Sequence, residues 1–323
     1  MSLLIKLGSL LAGVMLLAAY LVLLERKLLG RFQLRYGPNR AGYFGLLQSF
    51  ADGVKLLLKE DIVPAAADRF LFMYAPAIVA TVPLLLLAVI PFGETSILMG
   101  AEVPGVIADL NVGVLYVLAL SSLSVYGVTL GGWASNSKYS LLGAVRATAQ
   151  MISYELALGL SLVPVVMLAH SFSLVDIVNA QARYPFILVQ PVAFLIFFIS
   201  AMAESKRLPF DLPEAENELM AGFHTEYSGM RFALFFLGEY INMIAQGGLV
   251  AVFFLGGWRG PLLPPMIWLL LKILLVPLLF IWTRATLPRL RYDQLMQFGW
   301  KVLVPVALLN IVLSGAVILW MGG

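Results

Sequence analysis

Residues 71–92 read LFMYAPAIVATVPLLLLAVIPF, 22 consecutive positions without a charged side chain. At about 1.5 Å per helical residue, such a run crosses the roughly 30 Å hydrocarbon core of a bilayer. Lipid offers the backbone no hydrogen bonds, and a helix satisfies them within one segment. The next run, 112–133, VGVLYVLALSSLSVYGVTLGGW, is also uncharged. These two stretches decide the fold class, and the rest of the chain agrees with them.

Six further apolar runs flank them: Leu7–Leu24, Leu141–Ala169, Pro185–Ala203, Phe232–Gly257, Pro261–Thr283 and Val302–Gly323. The pattern predicts an all-α polytopic membrane protein of about eight transmembrane helices, forming one transmembrane domain over residues 1–323. The composition concurs. Of 323 residues 61% are hydrophobic and 12% charged, whereas soluble domains are near half apolar and a quarter charged. The helices consume most of the chain and leave no room for a soluble catalytic domain. With no cysteine, disulfides and thiolate-held zinc or iron–sulfur clusters are excluded within the chain. No metal site is expected. The two histidines, His170 and His224, fall near opposite membrane faces, which argues against a bis-histidine haem. The first apolar run lacks a strongly basic start and a small-residue cleavage site, so it reads as a retained helix.

Lysine and arginine set the orientation. With the adjoining helix ends, the loops on one side hold 17 of the 21 basic residues. That side is predicted to be cytoplasmic, or the matrix or stromal side in an organelle. The expected location is the bacterial inner (plasma) membrane, or the mitochondrial inner membrane if organellar. No internal repeat is visible. The loops at Gly93–Asn111 and Ser171–Tyr184 have room for short surface helices.

Two cytoplasmic segments stand out. The first, residues 25–70, contains a helical period over Gly45–Glu60. Leu46, Leu47, Phe50, Val54, Leu57 and Leu58 share one face, and Gln48, Asp52, Lys55 and Lys59 the other, as in an interfacial amphipathic helix. Two readings stay open: a membrane anchor, or the rim of an opening for a lipid-like substrate. The second segment, residues 204–231, is acidic. Glu204, Asp211, Glu214, Glu216, Glu218 and Glu226 fall within 23 positions.

Carboxylates also enter the spans. Glu155 lies nine residues past Arg146, roughly 13 Å in at helical rise. Glu239 lies eight past Arg231, roughly 12 Å in. With Glu204 they can share the cytoplasmic half of one bundle. Ionisable groups at that depth mark ion or proton routes. Lys272, on the seventh span, reads as the counter-charge, and the plainer alternative is a structural Lys272–Glu239 pair. Tyr154 and Tyr240, beside the glutamates, read as packing residues or as extensions of a polar path. His224 reads as a proton shuttle or a plain loop residue, and His170 as interfacial.

Five blocks carry a resemblance: LLERKLLGRFQLRYGPNRAG (23–42), LLQSFADGVKLLLKED (46–61), RATAQMISYELALG (146–159), AESKRLPFDLPEAENELMAGFHTEYSGMRFALFFLGEY (203–240) and WTRATLPRLRYDQLMQFGWK (282–301). In this order they resemble the NADH dehydrogenase subunit 1 family of respiratory complex I, the proton-pumping NADH-quinone oxidoreductase. Lys206 stands where many members have Asn. The resemblance implies a membrane-arm subunit that supplies most of the quinone-access chamber and carries no redox centre. It implies quinone as substrate, with NADH, FMN and iron–sulfur clusters in partner subunits. Expected partners are other membrane-arm subunits, peripheral iron–sulfur subunits and lipids, with no nucleic acid. Glu25, Arg26, Asp52 and Arg284 match charged residues of the quinone channel. Asp211, Glu214, Glu216, Glu218 and Glu226 match the acidic loop beneath it. Glu155, Glu204 and Glu239 match the buried carboxylates that begin the proton path. Two alternatives are the anchor subunit of a membrane-bound hydrogenase or ferredoxin-driven relative, and a stand-alone proton-coupled transporter.

Overall fold

The computed structural model describes residues 2–93, 95–98, 101–212 and 222–322. The chain is helical. Helix α1 spans Ser2–Phe32, α2 Gln48–Leu58, α3 Arg69–Val89, α4 Gly113–Ala134 and α5 Lys138–Ala169. Then come α6 Leu174–Ala180, α7 Phe186–Val189, α8 Pro191–Glu204, α9 Gly229–Phe254 and α10 Pro265–Thr286. The last rod joins α11 (Tyr292–Phe298), a π turn at Gly299–Leu303 and α12 (Val304–Gly322). Among the described residues, seven helices are long and apolar enough to cross a membrane, and Pro191–Glu204 is a shorter apolar one.

The ends of the elements refine the expected spans. Helix α1 runs through residues 25–32, because Leu28 and Leu29 continue its pattern and no Gly-Pro pair intervenes before Gly37–Pro38. Glu25 and Arg26 are therefore helical. The last span starts at Tyr292, ten residues before the apolar run. The fifth span is interrupted near its start. Gln190 leaves helical geometry (φ −127°, ψ 57°) and Pro191 opens α8, since proline lacks the N–H to continue the ladder. The Gln190 amide donates to Ser314 Oγ at 2.9 Å and accepts from Asn310 Nδ2 at 3.1 Å. The loop after α3 holds an antiparallel hairpin, Thr95–Leu98 against Ala101–Pro104, in place of a surface helix. The loop after α5 does hold one, α6, capped where Ser173 Oγ accepts from the Asp176 N–H at 3.4 Å.

Helix α9 is the axis of the bundle, with 83% of its most apolar window buried. Glycines let its neighbours approach. A Cβ at Gly238 would stand 2.8 Å from the Val79 carbonyl oxygen, and one at Gly247 2.4 Å from that of Ile273. Small residues at helix crossings serve this purpose in membranes, where packing must replace the hydrophobic effect. Helix α2 has no buried residue. Its Phe50, Val54, Leu57 and Leu58 stay exposed, as an interfacial helix requires.

Candidate functional site

Three elements converge on Glu25 of α1, which is 3% exposed. Arg207, in the turn after α8, donates from Nη1 to both carboxylate oxygens, at 3.2 and 3.4 Å. Arg284, on the last turn of α10, donates to Oε1. Tyr240 of α9 donates its phenol to Oε2 at 2.7 Å, and its ring lies 4.6 Å from the Arg207 guanidinium carbon. A buried carboxylate is retained only when paired and hydrogen-bonded, and here it has three donors. Arg207 is 7% exposed, and its Nε and Nη2 are buried without an acceptor. Burial opposes its charge, yet Tyr240, Glu25 and Glu239 outweigh that and raise its pKa further. Two guanidiniums against one carboxylate leave the cluster with a net positive charge.

Next to Glu25 on α1, Arg26 pairs with Asp52 of α2, and Gln48 Nε2 donates to Asp52 Oδ1 at 2.9 Å. Ser49 Oγ donates to the Ala19 carbonyl at 2.6 Å. The polar edge of α2 is thus attached to α1, and its apolar face is turned outward.

The turn after α8 is shaped by Gln150 of α5. Its Nε2 donates to the carbonyls of Ala203 at 2.9 Å and Phe210 at 2.7 Å. Just beyond, Arg289 donates to Asp211 Oδ2 at 3.1 Å. Burial raises the Asp211 pKa, Arg289 and Arg284 oppose the rise, and Glu239 adds to it.

Deeper in the bundle, Glu204 is 3% exposed. It accepts from Gln246 Nε2 at 3.0 Å, while its Oε1 is buried without a partner. Glu155 accepts from Ser121 Oγ at 3.3 Å and from Ser122 Oγ, close enough to Glu204 for the charges to interact. A cavity lies between α3, α4, α5 and α9, lined among others by Glu204, Lys206, Glu239, Ser124 and Asn242. It offers about 20 Å³ to water centres, room for one water. The charge of Glu239 is felt at both Arg207 and Asp211. Glu239 itself lines the cavity.

The structure thus brings Glu25 to Arg284, Arg26 to Asp52, and Glu155, Glu204 and Glu239 to one polar seam, with Asp211 at its edge. It does not bring Glu226 there. That residue is half-buried in the turn before α9, and among the described residues no side-chain bond joins it to either group. The turn is fixed elsewhere: Ser228 Oγ donates to the Glu60 carbonyl at 3.2 Å and Arg231 pairs with Asp61 at 3.2 Å. Glu214, Glu216 and Glu218 lie outside the described residues.

Lys272 is not the counter-charge of the glutamates. Its Nζ donates to the carbonyls of Leu255 at 2.6 Å, Gly257 at 2.8 Å and Arg259 at 2.7 Å, holding the end of α9. Leu255 is 16 residues beyond Glu239, about 24 Å of helix. His170 ends α5 in the left-handed region at φ 53°. His224 packs its ring against Phe223 and Phe232, at centroid distances of 4.9 and 5.4 Å. Tyr154 donates to the Leu295 carbonyl at 2.9 Å and braces the last rod.

Sequence reasoning used Arg207 only to orient the chain and passed over Gln150 and Gln246. A signal existed for the amides: a glutamine in an apolar span needs partners that lipid cannot supply.

The comparisons with known proteins agree with one another. A family model described as NADH dehydrogenase matches residues 5–315. The chain is 71% identical over 317 residues to the NADH-quinone oxidoreductase H subunit numbered 2 of Syntrophobacter fumaroxidans, covering 98% of this chain and 96% of that one. It is 63% identical over 318 residues to the NADH-quinone oxidoreductase H subunit of Syntrophotalea carbinolica, with 98% and 96% covered. The corresponding protein of Thermomicrobium roseum is 57% identical over 324 residues, with 97% and 95% covered.

Proposed function

The chain belongs to the NADH dehydrogenase family of NADH-quinone oxidoreductase H subunits, and from that premise we propose how its polar seam serves the enzyme. The chain is a membrane component of this proton-translocating oxidoreductase. Quinone is the substrate whose reduction it senses. NADH, FMN and iron–sulfur clusters belong to partner subunits, and the peripheral arm docks on the basic side. The location is the inner membrane of a bacterium, like the organisms of the relatives above.

In this reading the Glu25 cluster borders the quinone chamber, and Arg26, Asp52 and α2 form the rim through which the lipid-soluble quinone passes. Reducing a quinone to a quinol takes up two electrons and two protons. Negative charge develops on the headgroup before protonation is complete. In a medium of low dielectric that charge acts strongly on its neighbours. Arg284 and Arg207 supply fixed positive charge toward it. Glu239 feels any rearrangement of Arg207 or Asp211, and passes it to Glu204 and Glu155 across the water-sized cavity. By their match to the family's acidic loop, Glu214, Glu216, Glu218 and Glu226 are assigned to the same response.

One observation carries this reading: the buried Glu25 carboxylate holds two guanidiniums, those of Arg207 and Arg284. The names of the relatives favour the quinone enzyme over a hydrogenase anchor or a lone transporter. The test is Arg284→Ala in the assembled complex. Losing one charge-assisted hydrogen bond predicts a fall in quinone reductase rate of roughly tenfold, with the complex still assembled. A wild-type rate with wild-type inhibitor sensitivity overturns the assignment.

A further inference from the structure

Lys272 is a charged side chain of a membrane span that the polar seam does not use. It stands on α10, and its Nζ meets the far end of α9. There the chain curls. Leu255 ends the helix, and Gly256 and Gly257 take left-handed φ values of 72° and 53°. The Gly257 N–H donates back to the Ala251 carbonyl at 2.7 Å, and a Cβ at Gly257 would stand 2.7 Å from Val178 Cγ2.

Several backbone groups of the curl have their own partners. Gln181, 4% exposed, donates from Nε2 to the Val252 carbonyl at 2.7 Å and accepts from the Gly256 N–H at 2.9 Å. The Arg259 N–H donates to the Gly256 carbonyl at 3.0 Å. The alternate carbonyls of Leu255, Gly257 and Arg259 converge instead on Lys272 Nζ, at 2.6, 2.8 and 2.7 Å. Three acceptors need three N–H donors. A neutral amine has two and an ammonium three, so the occupant is the ammonium. The negative end of the α9 dipole lies at the same point. Backbone carbonyls gathered in this way replace the hydration shell of a monovalent cation. A guanidinium, planar and with its donors spread in a fork, does not fit one point of convergence.

We propose that the curl after α9 is a backbone-built site for a primary ammonium group, which Lys272 fills from within the chain. The ammonium, in place of water or a free ion, closes the end of the bundle's central helix against α10. Leu255 is 16 residues beyond Glu239, about 24 Å of helix, so the test of this site is independent of the seam.

Thermal midpoints of the purified complex are compared in chloride salts at equal ionic strength. Lys272→Ala removes the atoms of n-propylammonium beyond Cβ. In n-propyltrimethylammonium, which has the stem and the charge but no N–H, the variant should melt below wild type. In n-propylammonium it should recover saturably. Wild type should not distinguish the two salts. Equal midpoints of the variant in both salts overturn the proposal, and so does a wild type that gains as much from n-propylammonium as the variant. Lys272→Arg keeps the charge and should still melt below wild type; an Arg variant as stable as wild type also overturns it. If Lys272→Ala does not assemble, reductive methylation of the wild-type complex decides. Lys272 should react severalfold more slowly than Lys6, which is also half-buried but reaches the Val106 carbonyl only at 3.5 Å. Equal rates overturn the assignment.

Discussion

Glu25 and Tyr240, 215 positions apart, share a 2.7 Å hydrogen bond in which the phenol donates to the carboxylate. The bond ties α1 to α9 at the point where two arginines meet the same carboxylate.

Removing the phenol tests this tie. Tyr240→Phe keeps the ring under Arg207 and loses the donor, and hydrogen bonds to charged groups are worth about 1.5–3 kcal/mol. Glu25→Ala should be worse, because it strands Arg207 in the interior, a change in the range of about 3–5 kcal/mol. Thermal midpoints of the purified complex should fall in the order wild type, Tyr240→Phe, Glu25→Ala. A Tyr240→Phe complex less stable than Glu25→Ala contradicts the cluster as described.

Gln150 shapes the turn that carries Glu204, Arg207 and Asp211. Gln150→Leu keeps most of the volume but leaves the Phe210 carbonyl without its donor, at about 1–3 kcal/mol for an unsatisfied buried group, while the Ala203 carbonyl still accepts from the Lys206 N–H at 3.2 Å. Hydrogen exchange of peptides covering 203–212 should accelerate, with little change in α12. Unchanged protection there would show that the turn is held by other means.

How much of this was legible in the sequence follows from the range of each interaction. Uncharged runs such as 71–92 announce themselves, because lipid tolerates little else. The ends were less readable. Periodicity did not mark where α1 gives way after Phe32, and the Gln190–Pro191 interruption is satisfied by side chains of α12, more than a hundred positions away. The site divides in the same way. Glu155, Glu204 and Glu239 are conspicuous as acids in or at apolar helices. Arg207 reaches Glu25 across 182 positions, which no local pattern encodes. Lys272 misled because a lone intramembrane cation suggests a carboxylate, whereas its partners are backbone carbonyls, and those leave no trace in residue types.

The Asp211 carboxyl gives a pH signature. Its folded pKa lies above the ordinary aspartate value because of burial, against the pull of Arg289. The native state then holds the proton more tightly than the unfolded chain does. That contribution to stability is fully present below the unfolded value and is lost as pH rises through the folded one. Asp211→Asn removes it. The thermal midpoint of the variant relative to wild type should therefore rise with pH through that window and level off above it. A relative midpoint that falls through the same window contradicts the burial argument.

The central claim is that charge changes at the Glu25 cluster reach the glutamates around the cavity and there become proton movement. The most direct measurement is the proton-to-electron ratio of the reconstituted Glu155→Gln complex during quinone reduction. Glutamine keeps the shape and can still bond the Ser121 and Ser122 hydroxyls, but it cannot carry a proton. The account predicts continuing quinone reduction with a lowered ratio. A full ratio at an undiminished rate would contradict it.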